Sequence, residues 1–360
     1  MTSDTKRSAP AGNEAAFWWR SDNIAGVDPR ILEAVVACNV GTAPAFGEDD
    51  WSRSLDAAFS DVFENPVRAF AVASGTAANA LAIASIAGPF DRILCHPDSH
   101  AFQEECGASE FYSGGARFLP VSGGLDGKLA PDPVATAIER NEDARGNSYR
   151  LAAMTVTQLS EAGTAYRPEE LRRLGAIARD HGLRIHMDGA RFANAVAAVG
   201  ATPADLTWRA NVDVMSFGGT KNGTLHADAI VFFDLAAAEH FKRRLKRAGH
   251  DLSKSRFLAV QLLRYLQDSL WLDNARRANA TAAEMARILG RVPDATILHP
   301  VQGNVIFVAF PDSAVGSLLG AGFRLRSKGR LPDGRATFRL VPSYASEPGE
   351  LSAFAAALGR

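Results

Sequence analysis

The sequence predicts an α/β protein: a large domain built on a mainly parallel sheet, followed by a smaller α+β domain. Three observations lead there. Strand-like runs alternate with helical stretches from residue 67 to residue 234, the order in which right-handed crossovers build a parallel sheet. After ADAIVFF the pattern changes to long helical stretches, and then to short strands around single helices. At 360 residues the chain also exceeds one ordinary core, so two domains are expected. The expected division is a flexible arm over 1–16, a large domain over 17–250 and a C-terminal α+β domain over 251–360.

Taken in order, the polar arm MTSDTKRSAPAGNEAAF has no apolar core of a secretory signal. The aromatics Phe17, Trp18 and Trp19 follow and need burial, either within the chain or against a second subunit. Asp28 and Pro29 form a helix start, a capping acid with proline at the first helical position. DWSRSLDAAFSDVF reads as helix and VRAFAVA as strand, after which SGTAANALAIASIAG supplies a small-residue turn and an Ala-rich helix. Free N–H groups at such a helix start can hold an anion, with Ser74, Gly75 and Thr76 lining it; the same residues can equally be a plain cap.

DRILC and ARFLPV read as strands around a loop and a short helix that carry His96 and His100. Pro97 between the histidines argues for a loop at His96 and against a shared metal-binding face, and no metal is expected. An imidazole stacked over a flat ring is the alternative use for His100. A helix, a charged turn and the strand RLAAMTVTQ come next, and then a helix marked by Pro168, Glu169 and Glu170, with Leu171, Leu174, Ile177 and Ala178 on one face. In the C-terminal part ATILHP, GNVIFVAF, FRLRS and ATFRLVP read as strands, with a helix at Ala314–Leu319 and another from Glu347.

Composition narrows the function. The formal net charge of −1 gives no electrostatic case for nucleic acid or a membrane surface, so a small-molecule partner is expected. No run approaches the ~20 apolar residues of a membrane helix. Cys38, Cys95 and Cys106 fit neither a disulfide framework nor a common zinc pattern, and a cytoplasmic setting is expected.

The chemistry concentrates between Leu183 and Gly223. Asp188 ends the apolar run LRIHMD, and Lys221 follows DVMSFGG. Ligands of parallel sheets sit beyond the carboxyl ends of the strands, so Asp188, Lys221 and the 74–76 turn converge on one edge. An amine, a carboxylate and an anion cradle are what pyridoxal phosphate requires: a Schiff-base lysine, a partner for the pyridinium nitrogen and a phosphate site. A planar guanidinium suits a substrate carboxylate, and Arg191 and Arg339 are candidates. A nicotinamide enzyme would need a GxGxxG turn after its first strand, which is lacking.

HMDGARFANA with GGTKNG downstream, SGTAAN upstream, SDN near the start and CHPDSHAFQEECGASEF between them resembles the threonine aldolase family of β-eliminating lyases, from about Arg20 to Tyr344. The resemblance implies a fold-type I aminotransferase-like architecture with a seven-stranded-type sheet, and a homodimer or homotetramer with active sites between subunits. It makes Lys221 the Schiff-base lysine, Asp188 the ring-nitrogen partner, Gly75 and Thr76 the phosphate holders and His100 the stacking residue. Arg191, Arg339 and Ser21 would hold the substrate carboxylate.

The implied reaction is retro-aldol cleavage of a 3-hydroxy-L-amino acid to glycine and an aldehyde, with fixation of the carboxylate setting which bond is broken. The proton acceptor is left among His100, His96, Glu161 and an ordered water. Glu161, in LSEAGT, stands near where many members carry a histidine, which suggests a subgroup acting on larger or aryl β-substituents. Phe102 is a candidate apolar wall. An aminotransferase, another eliminating lyase and a catalytically silent pyridoxal phosphate binder are the competing readings.

Overall fold

The computed structural model describes residues 19–124, 126–142 and 148–360. The expected arm over 1–16, together with Phe17 and Trp18, lies outside the described residues.

Seven strands form the main sheet: β1 Arg68–Val72, β2 Asp91–Cys95, β3 Arg117–Pro120, β4 Arg150–Thr157, β5 Arg184–Gly189, β6 Val214–Phe217 and β7 Asp228–Phe232. Their order across the sheet is β1-β7-β6-β5-β4-β2-β3. Every neighbouring pair is parallel except those made by β7, which runs antiparallel to both β1 and β6. The reason is length: residues 218–227 between β6 and β7 are fewer than the dozen or so a helical crossover needs. A consequence for function is that β7 begins on the same sheet edge where β1, β4, β5 and β6 end.

The helices of this domain follow their sequence signals. Asp28 caps Pro29–Cys38, its carboxylate accepting from the Arg30 N–H. Helix Pro168–Asp180 turns Leu171, Leu174 and Ala178 inward and is braced by the Arg167 N–H donating to Glu170 at 2.7 Å. Helix Gly75–Ile86 is buried continuously from Ala77 to Ala84. Small side chains let it lie close against the sheet, so the only polar group in that run, Asn79, is buried with it.

A second sheet, all antiparallel, is ordered β10-β11-β9-β8, with β8 at Thr296–Ile297, β9 at Ile306–Phe310, β10 at Arg326–Arg330 and β11 at Ala336–Leu340. The strand expected at FRLRS starts later than expected, because Phe323 is drawn into the second core, where its ring lies 5.2 Å from that of Trp19. Trp19 also packs on Phe354 at 5.1 Å and donates its indole N–H to Glu350. It is therefore buried within its own chain.

Helix Leu270–Leu289 belongs to both cores: Leu270, Trp271 and Ala275 pack under the large sheet, while Ala282, Met285 and Leu289 pack under the small one. Helix Arg256–Leu266 also packs into the large core through Ala259, Leu262 and Tyr265. The change of core thus falls inside Leu270–Leu289, beyond the boundary expected near residue 250.

Candidate active site

A cavity of about 370 Å³ opens at the edge where β1, β4, β5 and β6 end. It is lined by Ser74, Gly75, Thr76, His100, Glu161, Asp188, Arg191 and Lys221, which come from five separate stretches of chain.

Lys221 lies in a single helical turn, Thr220–Asn222, between β6 and β7. Asp228, the first residue of β7, fixes this turn by accepting from the N–H groups of Gly219 and Thr220 at 2.8 and 3.2 Å and from the Thr220 hydroxyl at 3.1 Å. On the other side the Asn222 amide donates to the Tyr265 hydroxyl and the Trp271 carbonyl at 2.6 and 2.8 Å. A Cβ on Gly218 would stand 2.4 Å from the Ala190 carbonyl oxygen, so the turns after β5 and β6 meet only because glycine is there.

Asp188 is buried at the end of β5. One oxygen accepts from the Ala190 N–H at 3.0 Å and the other from Asn79 Nδ2 at 3.0 Å. Burial alone would raise its pKa, but the charge of Lys221, the Ala190 N–H and nearby His186 and His100 outweigh it and hold the carboxyl below its usual range. An ionised carboxylate facing the cavity suits a protonated ring nitrogen.

The turn at residues 74–76 opens a helix, as expected. Ser74 caps helix Gly75–Ile86, its hydroxyl accepting from the Ala77 N–H at 3.2 Å. The N–H groups that open a helix have no intrahelical acceptor, and a Cβ placed on Gly75 would meet nothing within 4 Å, so this turn faces open space. Cap and anion site, posed as alternatives by the sequence, are compatible.

Glu161 sits in the turn after β4, where Gly163 N–H donates to the Ser160 carbonyl at 2.9 Å. Burial, then the nearby charge of Asp188, push its carboxyl upwards, against the pull of Arg191 and Lys221. His100 begins the short helix His100–Gln103 and pairs through Nδ1 with Oε1 of buried Glu105 at 2.9 Å. That hydrogen bond raises the imidazole pKa against the effect of burial.

The carboxylate-binding candidates fare unevenly. Arg191 lines the cavity, yet two of its nitrogens already hold Asp22, Nε at 2.7 Å and Nη2 at 2.9 Å. Asp22 is itself buried; burial is outweighed by Arg191 and Lys221, and its carboxyl lies below the usual range. Ser21 caps the turn Asp22–Ile24, accepting from the Asn23 N–H, and Asn23 rather than Ser21 lines the cavity. Arg339, on β11, also stands outside the lining; its Nη2 reaches the Arg20 carbonyl at 3.5 Å, and its buried Nε has no acceptor among the described residues.

Neither Phe102 nor His96 lines the cavity. Two positions after His100 a helical residue points to the opposite side, and Phe102 packs edge-on against Phe118 instead. His96 is turned into its own loop, where Nδ1 accepts from the Asp98 N–H at 3.2 Å.

Sequence reasoning missed Asp22, Asn79 and Glu105. A lone Asn in the middle of an all-buried Ala-rich helix was a usable signal, since a buried amide needs partners. Glu105 carried none, because the loop after Gln103 has no periodicity.

An amine and an ionised carboxylate facing an open helix N-terminus across one cavity, at the carboxyl ends of a mostly parallel sheet, define an enzyme of the pyridoxal phosphate class. The chain belongs to the beta-eliminating lyase family, whose sequence model matches residues 19–312. Its cofactor is pyridoxal 5′-phosphate, and it is a lyase. It is 39% identical to the low specificity L-threonine aldolase of Pseudomonas aeruginosa, over 84% of this chain and 87% of that one. It is 24% identical to the enzyme of the same name from Saccharomyces cerevisiae, over 80% and 73% of the two chains. The fold is shared with a threonine aldolase of Leishmania major, with TM-score 0.89 and 23% identity over 96% of this chain and 99% of that one. A putative L-allo-threonine aldolase of Listeria monocytogenes gives TM-score 0.69 at 17% identity, over 95% of each chain.

Proposed function

We propose that this protein cleaves 3-hydroxy-L-amino acids of the threonine, allo-threonine or phenylserine type to glycine and an aldehyde. The observation that carries this is the single cavity holding Lys221, Asp188 and the Ser74–Thr76 turn, in a chain 39% identical to a low specificity L-threonine aldolase.

The residue roles are proposed with it. Lys221 would hold the cofactor by its aldehyde, the open N-terminus of Gly75–Ile86 would hold its phosphate, and Asp188 would keep its ring nitrogen protonated. When bound, the cofactor supplies an electron sink for the pair released as Cα–Cβ breaks. The chain does the rest. Arg191, which lines the cavity and is held in place by Asp22, orients the substrate carboxylate and so chooses the bond that is broken; Arg339 and Ser21, outside the lining, are the further candidates for that carboxylate. The β-hydroxyl proton passes to a group in the cavity wall, its O–H pair becomes the aldehyde C=O, and one proton is returned to Cα to give glycine.

We also take the active assembly to be a homodimer or homotetramer in the cytoplasm. Leu32, Val36 and Val40 expose apolar surface on and just beyond one helix, and Cys38, Cys95 and Cys106 are all free thiols. Functionally the chain divides into a cofactor-holding part and a C-terminal part that brings Arg339, joined within Leu270–Leu289.

The test is incubation of the cofactor-loaded protein with L-threonine, L-allo-threonine and phenylserine, no keto acid being added, while aldehyde and glycine are measured. Equimolar release of both from at least one substrate is expected. Failure on all three, with turnover only after a keto acid is supplied, would overturn the reading in favour of transamination.

A further inference from the structure

Glu105 is a buried acid that none of the roles above requires. Its Oε1 meets His100 Nδ1 at 2.9 Å and also accepts from Asn79 Nδ2 at 2.8 Å, while its buried Oε2 has no partner among the described residues. A carboxylate so placed is not explained by stability, since a buried charge with an unsatisfied oxygen costs free energy.

The hydrogen bonds around it run in one direction only. Asn79 Nδ2 donates to both Glu105 and Asp188, and Asn79 Oδ1 accepts from the Ser216 hydroxyl at 2.6 Å. Having given its proton to Asn79, Ser216 must accept from His186 Nε2, 3.1 Å away. His186 Nδ1 then accepts from the Thr155 hydroxyl at 2.9 Å. Burial pushes the His186 imidazole down to about 4, which leaves it neutral with its one proton on Nε2, directed at Ser216. Flipping the Asn79 amide would set its oxygen against two carboxylates, so its orientation is determined. At the far end, burial and nearby Asp188 push the Glu105 carboxyl upwards, against the bonds from His100 and Asn79; because Oε1 already accepts from Asn79, the proton between it and His100 is assigned to Nδ1.

We propose that Glu105 is a positioning residue: anchored through Asn79 to Asp188, it holds His100 with its proton on Nδ1 and the lone pair of Nε2 free to take the β-hydroxyl proton. The logic is that of a buried carboxylate orienting a histidine base. The charged groups acting on His100 are Glu105 from the following loop, Asp188 from β5 and Glu161 from the turn after β4. Of these, Glu105 is the one hydrogen-bonded to it. The assignment rests on the reading of the site as a 3-hydroxy amino acid lyase for the identity of the proton, but not for the geometry.

The test uses full-length protein loaded with pyridoxal phosphate and labelled with ¹⁵N-histidine; subtraction of the H100Q spectrum identifies His100 among the eight histidines. Expected results are a neutral form protonated on Nδ1, a titration above the ordinary ~6.5, and a fall of about one pH unit or more in Glu105→Gln. Glu105→Asp, which keeps the charge, falls by less and serves alone if the Gln variant does not fold. In kinetics, the E105Q/H100Q double variant is no slower than H100Q. An unchanged His100 titration in a Glu105 variant with the wild-type cofactor absorbance band overturns the proposal, as do losses that multiply in the double variant. The titration needs no turnover, so a protein that shows the shift but cleaves no 3-hydroxy amino acid sinks the proposed function and leaves this assignment standing.

Discussion

At the scale of single residues, the site gathers charge in a buried place, where Arg191 is paired with Asp22 and His100 with Glu105. Lys221 is the simplest case. Lys221→Ala, freed of small amines, should show no borohydride-reducible bond to pyridoxal phosphate and no cleavage activity; retention of either would exclude Lys221 as the anchor.

Asp22 is more telling, because removing it leaves Arg191 buried without its counter-charge. Asp22→Asn should cost about 3–5 kcal/mol in denaturant unfolding, the range for breaking a buried pair, and should weaken substrate binding as Arg191 loses its brace. The pH dependence has a definite sign. Asp22 has a folded-state pKa depressed below its unfolded value, so its stabilisation is fully present above about pH 4 and is lost as pH falls through the folded value. Wild-type protein should therefore lose stability on acidification more steeply than D22N, and parallel curves would show that the pair contributes nothing.

At the scale of elements, turns rather than strands decide the site. The turn carrying Glu161 depends on Gly163, which has φ +83°, and a Cβ there would stand 2.7 Å from the Val305 carbonyl oxygen. Gly163→Ala should cost about 1–3 kcal/mol through backbone strain and that contact. Because Val305 precedes β9, the strain should also loosen the fit between the two sheets near Arg339. A lower Tm with a raised KM checks this; an unchanged Tm would mean that the turn relaxes freely.

The same distinction explains what could be read in advance. Asp188, Lys221 and the 74–76 turn were legible because each ends a run whose period marks it as strand, and parallel topology then places strand ends together. The cap at Asp28 and the inward face of Pro168–Asp180 were legible for a similar reason, as their chemistry is local. Asp22 and Glu105 were not legible, since their partners lie 169 and 5 positions away, in segments without periodicity. Their roles arise from which loops meet at the sheet edge. The late start of β10 was hidden too, because the pull of Trp19 on Phe323 is purely tertiary.

At the scale of the whole molecule, the face presented by helix Pro29–Cys38 bears on assembly. Leu32 and Val36, four positions apart on this helix, and Val40 just beyond it are 44%, 67% and 64% exposed. Clustered apolar exposure of this kind marks a docking surface more often than free surface. The helix is also tied to the catalytic turn: the Asp28 N–H donates to the Gly223 carbonyl at 2.8 Å, and Asn274 bridges Asp28 to the carbonyl of Asn222. Contact between copies through this face would therefore steady the segment that carries Lys221, which gives assembly a direct effect on the site. Val36→Lys places a charge at the most exposed of the three positions, where it should perturb the monomer fold little. Light scattering should find the wild type at two or four times 38.4 kDa and the variant at a smaller multiple. The variant should also release pyridoxal phosphate faster on dialysis. A Val36→Lys protein of unchanged mass and unchanged cofactor retention would show that this face is not the interface.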